Sequence, residues 1–417
     1  MSLLLDTIRQ ASDIEIWHNI NIMDKTVYLD NNATSRVAPE VAEAMMPFLG
    51  ELYGNPSSMH AFGGQVAKYV SRAREEVAAF FNCQPDEVVF TSCATESDNT
   101  AIRGTAEFFG KDLKIVTTAV EHPAVLQPCR RLKALGHEVV ELPVDGVGQI
   151  DLARLEDELA KAKGPVLVSA MWANNETGTV SPVAEIAKIC KAHGAIFHTD
   201  AVQAAGKAKI DLAEVKADML SISGHKFHAP KGVGAMFVRR GTKLKPFMLG
   251  GHQENVRRAG TENVPGIIAL AKACELARLG MDAENERLGR MRDRLEEAIL
   301  AKCPDTRVNG DRAHRLPNTL NVSFEYIEGE AIAYMLSDAG ICISTGSACA
   351  SGSLDPSHVI RAMGVPFVAL HGSVRFSLSR YTTDEEIDYV IDKLPPIIKR
   401  LRDLSPFGPD TNPTTFK

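Results

Sequence analysis

Long apolar runs are missing from this 417-residue chain, and their absence excludes a membrane-spanning helix: no stretch approaches the ~18 residues that a bilayer crossing needs. The opening MSLLLDTIRQ is no exception, since Asp6 and Arg9 break it after three leucines, and no targeting signal is visible. Excess positive charge is missing too. With 46 Lys and Arg against 53 Asp and Glu, the net charge of -7 argues against a general nucleic-acid binder, which needs a basic surface. Eight cysteines (Cys83, Cys93, Cys129, Cys190, Cys274, Cys303, Cys342 and Cys349) form no C-x-x-C and no Cys/His metal spacing. They read as reduced thiols of a cytoplasmic protein, and no metal site is expected. The G-x-x-x-x-G-K-[ST] spacing of a P-loop is likewise absent.

What remains is ordinary globular composition, 45% hydrophobic and 24% charged, at a length that suits two or three domains. Residues 1–25 read as a short amphipathic extension. From Glu87 to Arg240 short β-rich runs (EVVFTS, KIVTTAV, HEVVELPV, PVLVSAMW, AIFHTDA, DMLSISG, GAMFVRR) alternate with helical patterns. That alternation predicts an α/β fold, a mainly parallel sheet covered by helices, in a large domain over 26–266. A smaller α/β domain is expected over 267–405. It opens with a helix to Lys302 whose Leu288, Met291, Leu295 and Ile299 share one face, and it is followed by a fraying tail, 406–417.

The chemistry gathers at strand ends. In MLSISGHKFHAPKG an apolar strand runs into Ser223, Gly224, His225 and Lys226. A lysine there, among hydroxyl and imidazole donors, suits a Schiff base to an aldehyde that also carries a phosphate, which points to pyridoxal phosphate. Asp200 ends the strand of AIFHTDAVQ; its carboxylate can pair with a pyridinium nitrogen, or merely cap a helix, and Gln203 can donate to a ring hydroxyl. TSCATESDN is a strand, a polar turn and a helix start, so Thr95 and Ser223 are candidates to hold one phosphate. His122 in TTAVEHPAV can stack on a flat ring and shuttle a proton, and Asn175 in WANNETG follows another strand. In a parallel sheet such ends lie along one edge, where ligands collect.

Two further residues belong to the second domain. Cys349 lies in STGSACASGS, a small-residue stretch that suits a thiol which attacks in a pocket and carries its product outward. Arg375, charged within the apolar strand SVRFSLS, is expected to face an anion, either a substrate carboxylate or an internal salt-bridge partner.

Together these motifs resemble the cysteine desulfurases of the class V aminotransferase family. The likeness runs from Val27 to about Ser405 through YLDNNAT, GNPSSMHAFG, TESDN, EHPAV, NNETG, HTDAVQ, SGHK, RRAGTEN, GSAC and VRFSLSRYT. The long loop around Cys349, with SGSLDPSHVIRAMG after it, looks like the group with an extended catalytic loop, and the stretches FEYIEGEA, RAMGVP and SRYTTDEEID look closest to the NifS type that serves nitrogenase. The resemblance implies the fold of type I pyridoxal-phosphate transferases and a homodimer that converts L-cysteine to L-alanine. It leaves a persulfide on Cys349, to be passed to an iron-sulfur scaffold of the NifU or IscU kind. Lys226 would hold the cofactor, Asp200 and Gln203 address its ring, and His122 stack on it. Ala94, Thr95, Ser223, His225 and, from the second subunit, Thr261 would surround the phosphate, while Asn175 and Arg375 take the substrate carboxylate. Ala94, Thr345 and Ala350 depart from the residues usual in the family. Rival readings are an aminotransferase or selenocysteine lyase of the same family, and a non-enzymatic scaffold that has kept the fold.

Overall fold

The computed structural model describes residues 26–345 and 355–408. In chain order its strands are β1 (Val27–Tyr28), β2 (Val88–Thr91), β3 (Lys114–Thr118), β4 (Glu138–Leu142), β5 (Val166–Ser169), β6 (Ile196–Asp200), β7 (Met219–Ser223) and β8 (Gly234–Val238). They continue with β9 (Thr306–Asn309), β10 (Thr319–Phe324), β11 (Ile341–Cys342), β12 (Ser344–Thr345) and β13 (Ser373–Ser377).

Seven of these form one sheet in the order β2-β8-β7-β6-β5-β3-β4. All the pairings from β7 to β4 are parallel, and β8 alone runs against its two neighbours, so β2 and β7 still point the same way. The inner strands are buried on both faces and are rich in apolar residues on both, although Lys114, His198, Asp200 and Ser221 interrupt the runs and the edge strand β4 is half-buried. Side chains nevertheless alternate between two cores. Val88, Phe90, Val166, Val168, Leu220, Ile222, Ala235 and Phe237 enter one, and Val89, Leu167, Met219, Met236 and Val238 the other.

A second, antiparallel sheet has the order β12-β13-β10-β9, and β1 pairs with β11 in a two-stranded ribbon. Helices Gly329–Asp338 and Asp384–Leu404 cover this part through Ile332, Leu336, Ile387, Val390 and Leu394. The helix Val264–Lys302 straddles the division expected at 266/267. Its first half, from Val264 to Ala277, packs in the larger core, while Leu288, Met291, Leu295 and Ile299 pack in the smaller one together with Val27 and Leu29.

The topology delivers five loops to one edge. Strands β2, β3, β5, β6 and β7 share a direction, so the segments that follow Thr91, Thr118, Ser169, Asp200 and Ser223 emerge side by side. Among the described residues no helix is long and apolar enough to cross a membrane.

Candidate active site

Lys226 closes a single 3-10 turn, Gly224–Lys226, directly after β7. Its Nζ donates to the backbone carbonyls of Asn32 and Ala33, each at 2.8 Å. Gln203 Nε2 donates to the same Asn32 oxygen at 3.0 Å. Asn32 is itself held from several sides. Its backbone N–H bonds Ser377 Oγ at 2.9 Å, its amide donates to Thr319 Oγ1 at 2.9 Å, and Asn318 donates to its Oδ1 at 3.1 Å. A loop from the start of the chain thus fixes the lysine of the middle.

Asp200 lies beneath this point, with Oδ1 accepting from the Val202 N–H at 2.9 Å. Burial, and then the neighbouring Asp98, push its carboxyl up to about 7. Asp98 is fully buried and is itself pushed up to about 7 by burial. Between the two strands His198 meets Ser169 Oγ at 2.9 Å and Ser221 Oγ at 3.0 Å, and stands 3.5 Å from Asp98; burial brings it down to about 4. Glu121, also buried, accepts from Thr118 and from the Met171 N–H and is raised by burial to about 8. At Asp200 burial and Asp98 outweigh the pull of His198 and Lys226 and disfavour the ionised form, and a pyridinium N–H is the kind of partner that would restore it.

His122 caps the helix Pro123–Ala134: its Nδ1 accepts from the Ala124 N–H at 3.1 Å. The proton of the neutral ring therefore resides on Nε2. Burial, and next the charges of Lys226 and His358, hold its pKa down to about 4, so at neutral pH the ring is uncharged. His225 is brought to about 4 in the same way, with Nδ1 3.2 Å from Thr34 Oγ1.

Ser223 and the start of the helix that carries Ala94 and Thr95 meet around Gly234. This residue pairs with Thr91 on one side and Ser223 on the other, and a Cβ on it would lie 2.6 Å from the Ile222 carbonyl and 3.1 Å from Cys93. Only glycine lets β7 and the start of the helix Ala94–Phe109 come this close. Ser223 Oγ is buried there and has no hydrogen-bond partner among the described residues. A buried hydroxyl in want of an acceptor, beside a helix start that carries Ala94 and Thr95, fits a phosphate. Thr261 is exposed and lines a recess with Ser92, Gly232 and Arg258, away from Lys226 of its own chain.

Arg375 is buried on β13. Its Nη2 pairs with Asp30 Oδ1 and its Nη1 donates to the Asn175 carbonyl, both at 2.8 Å, while Nε has no partner among the described residues. The internal salt bridge is therefore present, and Asn175 meets Arg375 through its backbone. Cys349 lies outside the described residues. On one flank of it Ser344 stands opposite Arg375 in the β12–β13 register. On the other, Ser357 Oγ donates to Glu176 Oε2 at 2.5 Å and His358 Nε2 lies 2.9 Å from the Glu121 carbonyl.

Asp30, Asn32, Asp98, Glu121, Glu176, Lys207 and Gly234 were not among the residues expected from sequence. For Asp30 and Asn32 a signal existed in the polar run that ends VYLDNNAT; Lys207 reads in sequence as any solvated lysine.

The Aminotransferase class-V family pattern matches residues 27–390. The chain is 57% identical over 384 residues to a cysteine desulfurase of Trichormus azollae, spanning 92% of this chain and 96% of that one. It is 52% identical over 392 residues to the cysteine desulfurase NifS of Azotobacter vinelandii, at 93% and 96% coverage. Among solved structures, a NifS-like protein superposes with a TM-score of 0.85 at 39% identity, covering 90% of this chain and all of that one. The structure described as SspA in complex with cysteine gives 0.76 at 33% identity, with 85% and 99% covered. With a continuous match of this length and the lysine, aspartate and histidine of the motif set brought to one sheet edge, the chain belongs to the class V aminotransferase family, in its cysteine desulfurase branch.

Proposed function

We propose that this protein removes sulfur from L-cysteine with pyridoxal phosphate, yielding L-alanine and a persulfide on Cys349. The observation that carries the reading is the meeting of Lys226 and Gln203 on the Asn32 carbonyl, with Asp200 and His122 each within electrostatic reach of Lys226 and a buried Ser223 hydroxyl that has no partner among the described residues. When bound, the cofactor supplies the electron sink that lets an amino acid lose its α-proton.

The chain's own residues would divide the remaining work. Lys226 would hold the aldehyde carbon and then take the substrate α-proton on Nζ. Asp200 would address the ring nitrogen, and Gln203 would donate to the ring oxygen. Ser223, His225, Thr95 with Ala94, and Thr261 of a second copy in a homodimer, would surround the phosphate. Arg375 and Asn175 would orient the substrate carboxylate, with Arg375 offering its Nε edge. His122, neutral and with its proton on Nε2, is suited to hand a proton across the ring face. Cys349 as thiolate would attack the substrate sulfur: a sulfur–sulfur bond forms, the carbon–sulfur bond breaks, and carbon takes a proton to leave as alanine. The persulfide would pass by thiol exchange to an iron-sulfur scaffold of the NifU or IscU kind in the cytoplasm. The 52% identity to a NifS protein favours nitrogenase maturation as the pathway served.

The test is direct. Purified protein incubated with L-cysteine should release alanine and show one added sulfur on the peptide containing Cys349 by mass spectrometry. Alanine formation from L-selenocysteine but not from L-cysteine, or transfer of the amino group to a keto acid, would replace this reading by a lyase or an aminotransferase.

A further inference from the structure

Lys207 donates to the side-chain oxygen of Gln203, and the proposed mechanism does not use it. It follows Gly206, whose φ of +74° and whose missing side chain let the turn lie against Phe227; a Cβ there would stand 2.9 Å from Phe227 Cβ. Lys207 Nζ reaches back to three oxygens: Gln203 Oε1 at 3.2 Å, the Gln203 carbonyl at 3.4 Å and the Lys226 carbonyl at 3.3 Å. Its own carbonyl accepts from Asn285 at 2.9 Å, which ties the turn to the long helix Val264–Lys302.

An amide has an oxygen end and a nitrogen end, and a buried one is oriented by what faces each. Gln203 is buried. The Asn32 carbonyl requires a donor and selects the NH2 end; the Lys207 amine donates and selects the oxygen end. Asn32 takes one of the two amide hydrogens, which leaves the second for an acceptor in the site. Burial and the charge of Lys226 bring the Lys207 ammonium down to about 7, and it has hydrogens to donate in both forms. Without Lys207 the Gln203 oxygen would be buried and unsatisfied, a state that a side chain escapes by moving.

We propose that Lys207 is a positioning residue: it locks the amide of Gln203 with the N–H edge facing the cofactor ring oxygen and steadies the carbonyl of Lys226. This rests on the functional reading above. A donor to the ring oxygen stabilises its anionic form and lowers its proton affinity. Losing that donor must therefore raise the pH at which the visible absorption band of the bound cofactor titrates.

The experiment titrates that band in the holoenzyme for wild type, Lys207→Met, Lys207→Arg, Gln203→Leu and the double variant Lys207→Met/Gln203→Leu. Lys207→Met should move the midpoint upward by about one pH unit, a tenfold change in proton affinity. Lys207→Arg should recover most of it, and in the Gln203→Leu background the Lys207→Met shift should fall below about 0.3 unit, since the effect passes through Gln203. If Lys207→Met fails to fold, Lys207→Ser, too short to reach Gln203, is read against the same limits. An unmoved midpoint in the single variant, or the same shift with and without Gln203, overturns the positioning role while leaving the enzyme assignment intact. A wild-type protein that takes up no pyridoxal phosphate overturns both.

Discussion

Asp30 and Arg375, 345 positions apart in sequence, meet in one ion pair of 2.8 Å. The arginine side chain is 6% exposed and the aspartate side chain 20%. The guanidinium is thus paired within the fold, and its Nε has no partner among the described residues. Taking away one partner of a buried pair leaves a charge that neither water nor protein compensates. Asp30→Ala should therefore lower unfolding stability by about 3 kcal/mol, and Asp30→Asn, which keeps an acceptor, by clearly less. Urea unfolding of the two variants side by side checks this, and equal stability of Asp30→Ala and wild type would show that the pair contributes nothing.

Glu121 carries a second prediction, in which the sign is set by burial. Its carboxyl is raised from 4.5 to about 8 in the fold. Between those values the folded protein retains a proton that the unfolded chain has released, so the group's contribution to stability is complete below pH 4.5 and is lost as pH rises toward 8. Glu121→Gln has a similar shape and no such proton. The cofactor-free variant should gain on wild type between pH 4 and pH 8 by at least about 1 kcal/mol. A stability difference that does not change between the two pH values contradicts the burial argument.

Much of this arrangement was legible in the sequence. The seven β-rich runs between Glu87 and Arg240 are the seven strands of the main sheet, because strands buried between helices are rich in apolar and β-branched residues and stand out from the polar helices between them. Lys226, Asp200 and His122 were singled out because each stands where such a run stops. The partners were harder. Asp30 with Arg375, and Asn32 with Lys226, are contacts across 345 and 194 positions, and no local period encodes them. Asp98 and Lys207 look solvated in sequence, since the burial that shifts both toward 7 is a property of packing. The two-residue strands β1, β11 and β12 are too short for any periodicity.

Asp200 offers a test of the site's electronic half. A carboxylate beside the ring nitrogen keeps it protonated, and an unprotonated ring is a poor electron sink. Asp200→Asn should retain the cofactor but slow exchange of the substrate α-proton with deuterated water by at least about tenfold, and slow alanine formation with it. Exchange at the wild-type rate would remove Asp200 from the mechanism.

Cys349→Ser separates the two halves of the reaction. In the proposed mechanism the half that activates the substrate depends on Lys226, Asp200 and Arg375, all of which the variant retains, so L-cysteine should still bind and still exchange its α-proton. The sulfur half requires a nucleophile that attacks sulfur and then stores it. A serine hydroxyl has too high a pKa to ionise near neutral pH and bonds poorly to a soft centre, so both alanine and persulfide should fall by at least about a hundredfold. Cys342 and Cys93 are the alternatives to weigh. Cys342 is raised by burial and by Asp30, which keeps it a thiol, and Cys93 sits before the helix Ala94–Phe109 with Ser92 Oγ 3.7 Å from its sulfur. Mass spectrometry of the variant after incubation with L-cysteine decides between them. Undiminished alanine with the added sulfur on Cys93 would transfer the catalytic thiol to that turn, whereas exchange without alanine leaves Cys349 as the group that takes the sulfur.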